Sequence, residues 1–237
     1  MRIAAVIPSR YQSTRFPGKP LARIAGRSMV EMVYRQAAAA GCFDAIIVAT
    51  DDARIRDEVT EFGGVAEMTD NTIESGTERV WAVIEKKNFD AVVNIQGDEP
   101  LIPEKLVSDV CQALATEAIV SAARHSDSYD DFCSRHVVKV VCDQQDRALY
   151  FSRAPVPFAA KGSFHGFMQH IGIYGYTKEM LRIFVNSGAV ELELGENLEQ
   201  LRFLFLGRPI RIIRTDFVSH GVDVPEDILK IEKLLRS

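Results

Sequence analysis

The chain has 237 residues, of which 47% are hydrophobic and 26% charged, and its formal net charge is −5. This is an ordinary globular balance. It excludes a disordered chain, which lacks the apolar content to offset its ordering entropy, and an acidic surface excludes a general binder of nucleic acid. The charge is uneven, however: residues 1–30 carry six cations (Arg2, Arg10, Arg15, Lys19, Arg23, Arg27) and no acid, while the rest of the chain holds 22 basic against 33 acidic residues. A local anion site near the start of the chain is therefore expected.

Residues 3–7 form a short apolar run with β-branched members, closed by Pro8, and read as a buried strand. A polar loop follows to about Gly26. Residues 28–40 read as a helix: Met29, Val33 and Ala37 share a face, Ser28 can cap it and Gly41 ends it. A second buried strand is expected at 45–49, then a helix capped by Asp51 or Asp52 and running through Val59, with a stop at Phe62-Gly63-Gly64. A short strand at 65–68, a helix at 77–87, a strand at 91–95, a helix opened by Pro103 and reaching about Leu114, and a strand at 118–122 complete the first half. Its strands are continuously apolar, the pattern of a parallel sheet covered on both faces. The second half reads as extended segments at 137–141, 148–151 and 170–176, helices at 178–185 and 192–206, a strand at 210–215 and a closing helix at 225–235. The expected fold is α/β, a mostly parallel central sheet flanked by helices, in one domain over 1–237 with a β-rich lobe at about 130–180.

No apolar run approaches the ~20 residues that cross a bilayer, and residues 3–8 are too short for a signal-peptide core. The four cysteines lack CxxC spacing. They are expected to be buried thiols in a reduced, cytoplasmic protein with no membrane partner.

Functional loops of such sheets lie at the carboxyl ends of strands. The first, PSRYQSTRFPGK at 8–19, gathers Arg10, Arg15 and Lys19 with the hydroxyls of Ser9, Ser13 and Thr14. Converging cations and donors suit a triphosphate, although the loop is neither a Walker A loop nor a dinucleotide fingerprint; a solvated basic loop is the alternative. The second, QGDEP at 96–100, places Asp98 just past a buried strand. Asp98 is a metal candidate, with Glu99 behind it, or else the cap of the following turn. In SGTER (75–79), Ser75 and Glu78 have capping-box spacing, which spacing alone favours over ligand contact. Asp223, in GVDVPED (221–227), is either an N-terminal cap or a second metal ligand. His170 sits in an apolar stretch and reads as a core histidine. Glu196 and Gln200, four apart on the expected 192–206 helix, share a face.

Eight segments taken in order resemble one family: IPSRYQSTRFPGKPL, VATDD, SGTER, VNIQGDEPLI, ALYFSRAPVP, HIGIYGY, LEQLR and GVDVPED. Together they resemble the 3-deoxy-manno-octulosonate (Kdo) cytidylyltransferases of lipopolysaccharide synthesis over nearly the whole chain. The resemblance implies a nucleotide-diphospho-sugar transferase-like fold and a cytoplasmic homodimer with the β-rich lobe at its interface. It implies transfer of CMP from CTP to the anomeric hydroxyl of an eight-carbon keto-sugar acid, with Mg²⁺ as cofactor and pyrophosphate leaving. The sugar is Kdo or, as an alternative, its 8-amino form, with a sialic-acid-like sugar further off. By the same resemblance Lys19, Arg10 and Asp98 are catalytic; Pro8, Ser9, Arg10, Arg15, Lys19, Ser75, Thr77, Arg79 and Gln96 bind the nucleotide; Arg153, His170, Tyr174, Glu199 and Gln200 bind the sugar; and Asp98 and Asp223 hold the metal.

Overall fold

The computed structural model describes residues 1–12, 15–73, 75–160 and 164–236. Its first half runs β1 (Ile3–Ser9), a 3₁₀ turn (Lys19–Leu21), the small hairpin β2 (Arg23–Ile24) and β3 (Arg27–Ser28), α1 (Met29–Ala39), β4 (Ala45–Thr50), α2 (Ala53–Glu61), β5 (Ala66–Met68), α3 (Gly76–Ile84), β6 (Ala91–Asn94), α4 (Glu104–Ala113) and β7 (Ile119–Ser126). The second half runs α5 (Tyr129–Cys133), β8 (Lys139–Cys142), β9 (Ala148–Ser152), β10 (Phe167–Thr177), α6 (Lys178–Ser187), α7 (Glu191–Glu196), α8 (Leu201–Phe205), β11 (Arg211–Arg214) and α9 (Asp227–Leu234). The main sheet has the order β11-β7-β10-β6-β1-β4-β5, with β8 laid on β10 and β9 on β8. β1 pairs in parallel with β4 and β6, β4 with β5, and β11 with β7; β10 is the antiparallel member between β6 and β7.

The continuous apolar runs have the expected cause. In β1, Ile3, Ala5 and Ile7 enter one core cluster, with α1, α2 and α4, while Ala4 and Val6 enter the other, with α3, α6 and α8. A strand buried on both faces needs apolar residues at every position. A third, smaller cluster joins Ile24 and Met29 to Val222 and Ile231, which docks the end of the chain beside the first loop.

The helix starts follow their caps. Ser28, Asp52, Ser75 and Thr177 each accept a backbone N–H in the first turn of α1, α2, α3 and α6. Several expectations fail. The helix at 192–206 is two helices, α7 and α8, because Asn197 takes a left-handed conformation (φ 53°) that ends α7; asparagine tolerates it where most residues do not. Glu196 and Gln200 consequently do not share a helical face. The cysteines are free, as expected, but only Cys111 is buried, and Cys133 is exposed. The short α5 was not expected from sequence, and β10 is longer than the 170–176 run. It carries a bulge between Ile171 and Tyr174, into which the Ser121 hydroxyl donates at 3.0 Å to the Ile173 carbonyl.

Candidate active site

The loops after β1 and β6 meet because of one glycine. A Cβ on Gly97 would stand 2.9 Å from the Pro8 carbonyl oxygen and 3.0 Å from Ser9 Oγ, so no other residue lets the two strand ends lie side by side. Between them opens a cavity of about 400 Å³, within the range of small-molecule sites. Pro8, Ser9, Arg10, Arg15, Lys19, Arg79, Gln96 and Asp98 all line it. Ser13 and Thr14, whose hydroxyls the sequence reading included, lie outside the described residues.

Carboxylates distant in the chain hold two of its cations. Lys19 Nζ donates to Asp98 Oδ2 at 2.7 Å and to the Val222 carbonyl at 2.9 Å. Arg15 grips Asp223 with both terminal nitrogens, at 3.1 and 3.0 Å. The Val222 N–H donates to the Asp98 carbonyl, which fixes the 221–224 segment against the QGDEP loop. Asp223 is not the cap of α9, whose N-cap position is Glu226; its carboxylate faces Arg15, and Asp227 Oδ2 accepts the Asp223 and Val224 N–H groups. Glu99 lies behind this cluster and accepts from the Ser219 hydroxyl. Burial, aided by the charges of Asp98 and Asp223, pushes its carboxyl up to about 7.

The SGTER residues divide. Ser75 caps α3 by accepting the Glu78 N–H at 3.2 Å and does not line the cavity. Arg79 does line it, almost wholly buried, with its guanidinium donating to Thr69, to the Ile73 carbonyl at 2.7 Å and to Asp51 at 3.1 Å. Burial first, and then the positive charge of Arg10, hold this guanidinium below its ordinary value.

Thr77 faces elsewhere, into a second cavity of about 190 Å³. Gly76 and Gln96 line both cavities, so the two are contiguous. Tyr174, Tyr176, Phe184 and Phe203 make the aromatic wall; Thr77, Asn94, Gln96, Glu199 and Gln200 supply polar atoms. The Thr77 hydroxyl donates to Glu199 Oε2 at 2.6 Å. Burial holds the Tyr174 and Tyr176 phenols well above their ordinary values, so both remain neutral. Of the expected sugar residues, Tyr174, Glu199 and Gln200 are here.

Arg153 and His170 are not among the described residues that line either cavity. The Arg153 guanidinium donates to the carbonyls of Glu196 at 2.8 Å, Arg135 at 3.1 Å and Asn197 at 3.3 Å. The Glu196 carboxylate in turn accepts from the Ser152 hydroxyl at 2.6 Å and the Arg153 N–H at 2.8 Å. Arg153 therefore clamps the turn that leads into Glu199 and Gln200. His170 packs between Phe151 and Tyr174 with its Nε2 3.0 Å from Ser121 Oγ, and burial pushes its pKa down to about 3. It is a neutral core histidine behind the wall.

Cations and carboxylates at the ends of parallel strands thus open onto a polar, aromatic-walled cavity. A family model described as cytidylyltransferase matches residues 4–212. The chain belongs to the cytidylyltransferase family. Among its relatives, a 3-deoxy-manno-octulosonate cytidylyltransferase of Geobacter metallireducens is 44% identical over 251 residues, covering 100% of this chain and 99% of that one. Another of the same description, from Syntrophotalea carbinolica, is 42% identical over 248 residues with the same coverage. A solved CMP:2-keto-3-deoxy-manno-octonic acid synthetase complexed with CTP superposes with a TM-score of 0.95 at 35% identity, covering 100% of this chain and 99% of that one. The 4-diphosphocytidyl-2C-methyl-D-erythritol synthase of Anaerococcus prevotii, at 15% identity and a TM-score of 0.66, shares the fold. Within this cytidylyltransferase fold, Asn94, Tyr176, Phe184 and Phe203 are cavity residues that the sequence reading did not single out. Asn94 ends the apolar run AVVN, and its polarity at the carboxyl end of a buried strand was the available signal.

Proposed function

We propose that the chain transfers CMP from CTP to the anomeric hydroxyl of 3-deoxy-D-manno-octulosonate and releases pyrophosphate. The observation that carries this reading is the junction at Gly76 and Gln96 of a cationic cavity with a smaller, aromatic-walled one. A triphosphate in the first meets a sugar hydroxyl from the second at that junction. The descriptions of full-length relatives at 42% and 44% identity support the choice of sugar.

In the reaction the hydroxyl oxygen attacks the α-phosphorus, its proton passes to solvent, and the bond from the α-phosphorus to the bridging oxygen breaks, so that pyrophosphate leaves with the electron pair. The protein's part is positioning and charge neutralisation. Lys19 donates two of its three N–H bonds to Asp98 and Val222, and the third is available to a phosphate oxygen. Arg10 and Arg15 add charge along the same wall, Pro8, Ser9, Arg79 and Gln96 border the nucleotide, and Tyr174, Glu199 and Gln200 border the sugar.

The donor set fits Mg²⁺. Among the described residues no three His, Cys, Asp or Glu side chains cluster to hold a metal alone. Asp98 and Asp223, tied together through the hydrogen bond from the Val222 N–H to the Asp98 carbonyl, are the sparse carboxylate set this ion takes when substrate phosphates complete its shell. Bound there, it would neutralise phosphate charge.

We also read the protein as a cytoplasmic homodimer. Phe158, 87% exposed, lines an apolar hollow with Phe132 and Phe164, whose rings the exposed Tyr129 contacts, and a second copy would cover this surface. A mass measurement in solution tests this, with a monomer at all concentrations as the contrary result. The activity is tested by pyrophosphate release from CTP: it should require both Mg²⁺ and Kdo, and the 8-amino sugar run alongside decides between the two acceptors.

A further inference from the structure

Two buried polar atoms lack a partner in the second cavity. Asn94 is 2% exposed and Gln200 5%, yet Asn94 Oδ1 and Gln200 Nε2 are buried without a hydrogen bond. Both residues line the cavity. An orphaned buried polar group is costly, and both residues border the cavity, so a ligand that fills it would supply the missing bonds.

The place of Asn94 is informative. Side chains two apart on an extended segment point to the same face. On that face Asn94 lines only the second cavity and Gln96 lines both, while Asp98, in the turn that follows, lines only the first. Asn94 also stands opposite Tyr174 in the antiparallel β10–β6 ladder, which puts it beside the aromatic wall. The strand end thus runs from the inner cavity, past the junction, to the metal-side carboxylate.

We infer that Asn94 determines sugar specificity, and that with Gln200 it reads a neutral hydroxyl of the acceptor. This rests on the functional reading above. One orphan accepts and the other donates. A hydroxyl does both at once, whereas an ammonium only donates and a carboxylate only accepts. A site that makes such bonds rejects an analogue without the group, because its own buried atoms are then left unpaired.

Asn94→Leu and Asn94→Ala test this with Kdo, a set of its mono-deoxy analogues, and CTP. Leucine has a similar volume and removes the orphan, so a purely structural role predicts no loss. The inference predicts that Asn94→Leu keeps its Tm while its KM for Kdo rises about 10- to 100-fold, with KM for CTP within about twofold. It further predicts one deoxy analogue that wild type discriminates against and the variants do not. A KM for Kdo within about twofold of wild type in both variants would overturn it, as would unchanged discrimination against every analogue. Wild type that releases no pyrophosphate with Kdo would instead refute the functional reading, and the inference with it.

Discussion

Arg153 separates two accounts of one residue. The family resemblance implies that it binds the sugar, whereas the structure has it bonding three carbonyls, of Glu196, Asn197 and Arg135. Consider Arg153→Ala. The part-buried bond to the Glu196 carbonyl is charge-assisted and contributes about 1.5 kcal/mol. The two exposed bonds are longer and solvent-screened, and together contribute no more than about 0.5–1 kcal/mol. The clamp therefore contributes about 2 kcal/mol, and for a domain of this size its loss lowers Tm by about 4–8 °C. Because Asn197 is one end of the clamped turn and Glu199 and Gln200 follow it, KM for the sugar should rise with the loss of stability, while KM for CTP holds. Differential scanning calorimetry and steady-state kinetics on one preparation give both numbers. An unchanged Tm with a large rise in sugar KM would refute the clamp and make Arg153 a direct ligand of the sugar.

Three further outcomes follow from the same geometry. Asp98→Asn should leave the fold intact, since the amide still accepts from Lys19 and the pair is partly exposed, with a Tm shift of about 2–4 °C or less; kcat should fall about 10³-fold, and near-normal kcat would remove Asp98 from the metal assignment. His170 is held neutral down to about pH 3, so the unfolded chain takes up its proton first as pH drops below about 6.5. Its contribution is thus intact above that pH and is lost towards pH 3, by up to about 1.4 kcal/mol per pH unit; His170→Gln should flatten this fall in Tm, and identical pH profiles would contradict the buried neutral assignment. Gly97→Ala should cut kcat with little specificity between substrates, because its Cβ meets the Pro8 carbonyl and the Ser9 side chain and not ligand; full activity would mean that the two loops can separate at no cost.

Much of the fold was readable because strands buried on both faces write their own signature. The runs at β1, β4 and β6 could be placed within a residue or two, and Ser28, Asp52 and Ser75 do cap their helices. The failures have local causes. The leucines at 192, 194, 198 and 201 look helical together, but Asn197 breaks the run once the Glu196 carboxylate is tied to Ser152 and Arg153, bonds formed 43 and 44 residues away in sequence. The first cavity was legible as a loop because its cations are neighbours in the chain. The second was not, because its wall is assembled from α3, β6, β10, α6 and α8. Asp223 shows the same limit: spacing favours a helix cap, and only the fold reveals that its carboxylate faces Arg15 while its N–H donates to Asp227. Motif resemblance named Asp223, Glu199, Gln200, Arg153 and His170 alike; the structure places Asp223 against Arg15, Glu199 and Gln200 on the second cavity, and Arg153 and His170 outside its described lining.

The most direct test of the central claim is pyrophosphate release from CTP by the purified chain with Mg²⁺, measured with Kdo, with its 8-amino analogue and with no sugar. The account predicts rapid release with Kdo, formation of one CMP-sugar per pyrophosphate, and no release without a sugar. Absence of release with either sugar, under conditions in which CTP binds, would contradict it.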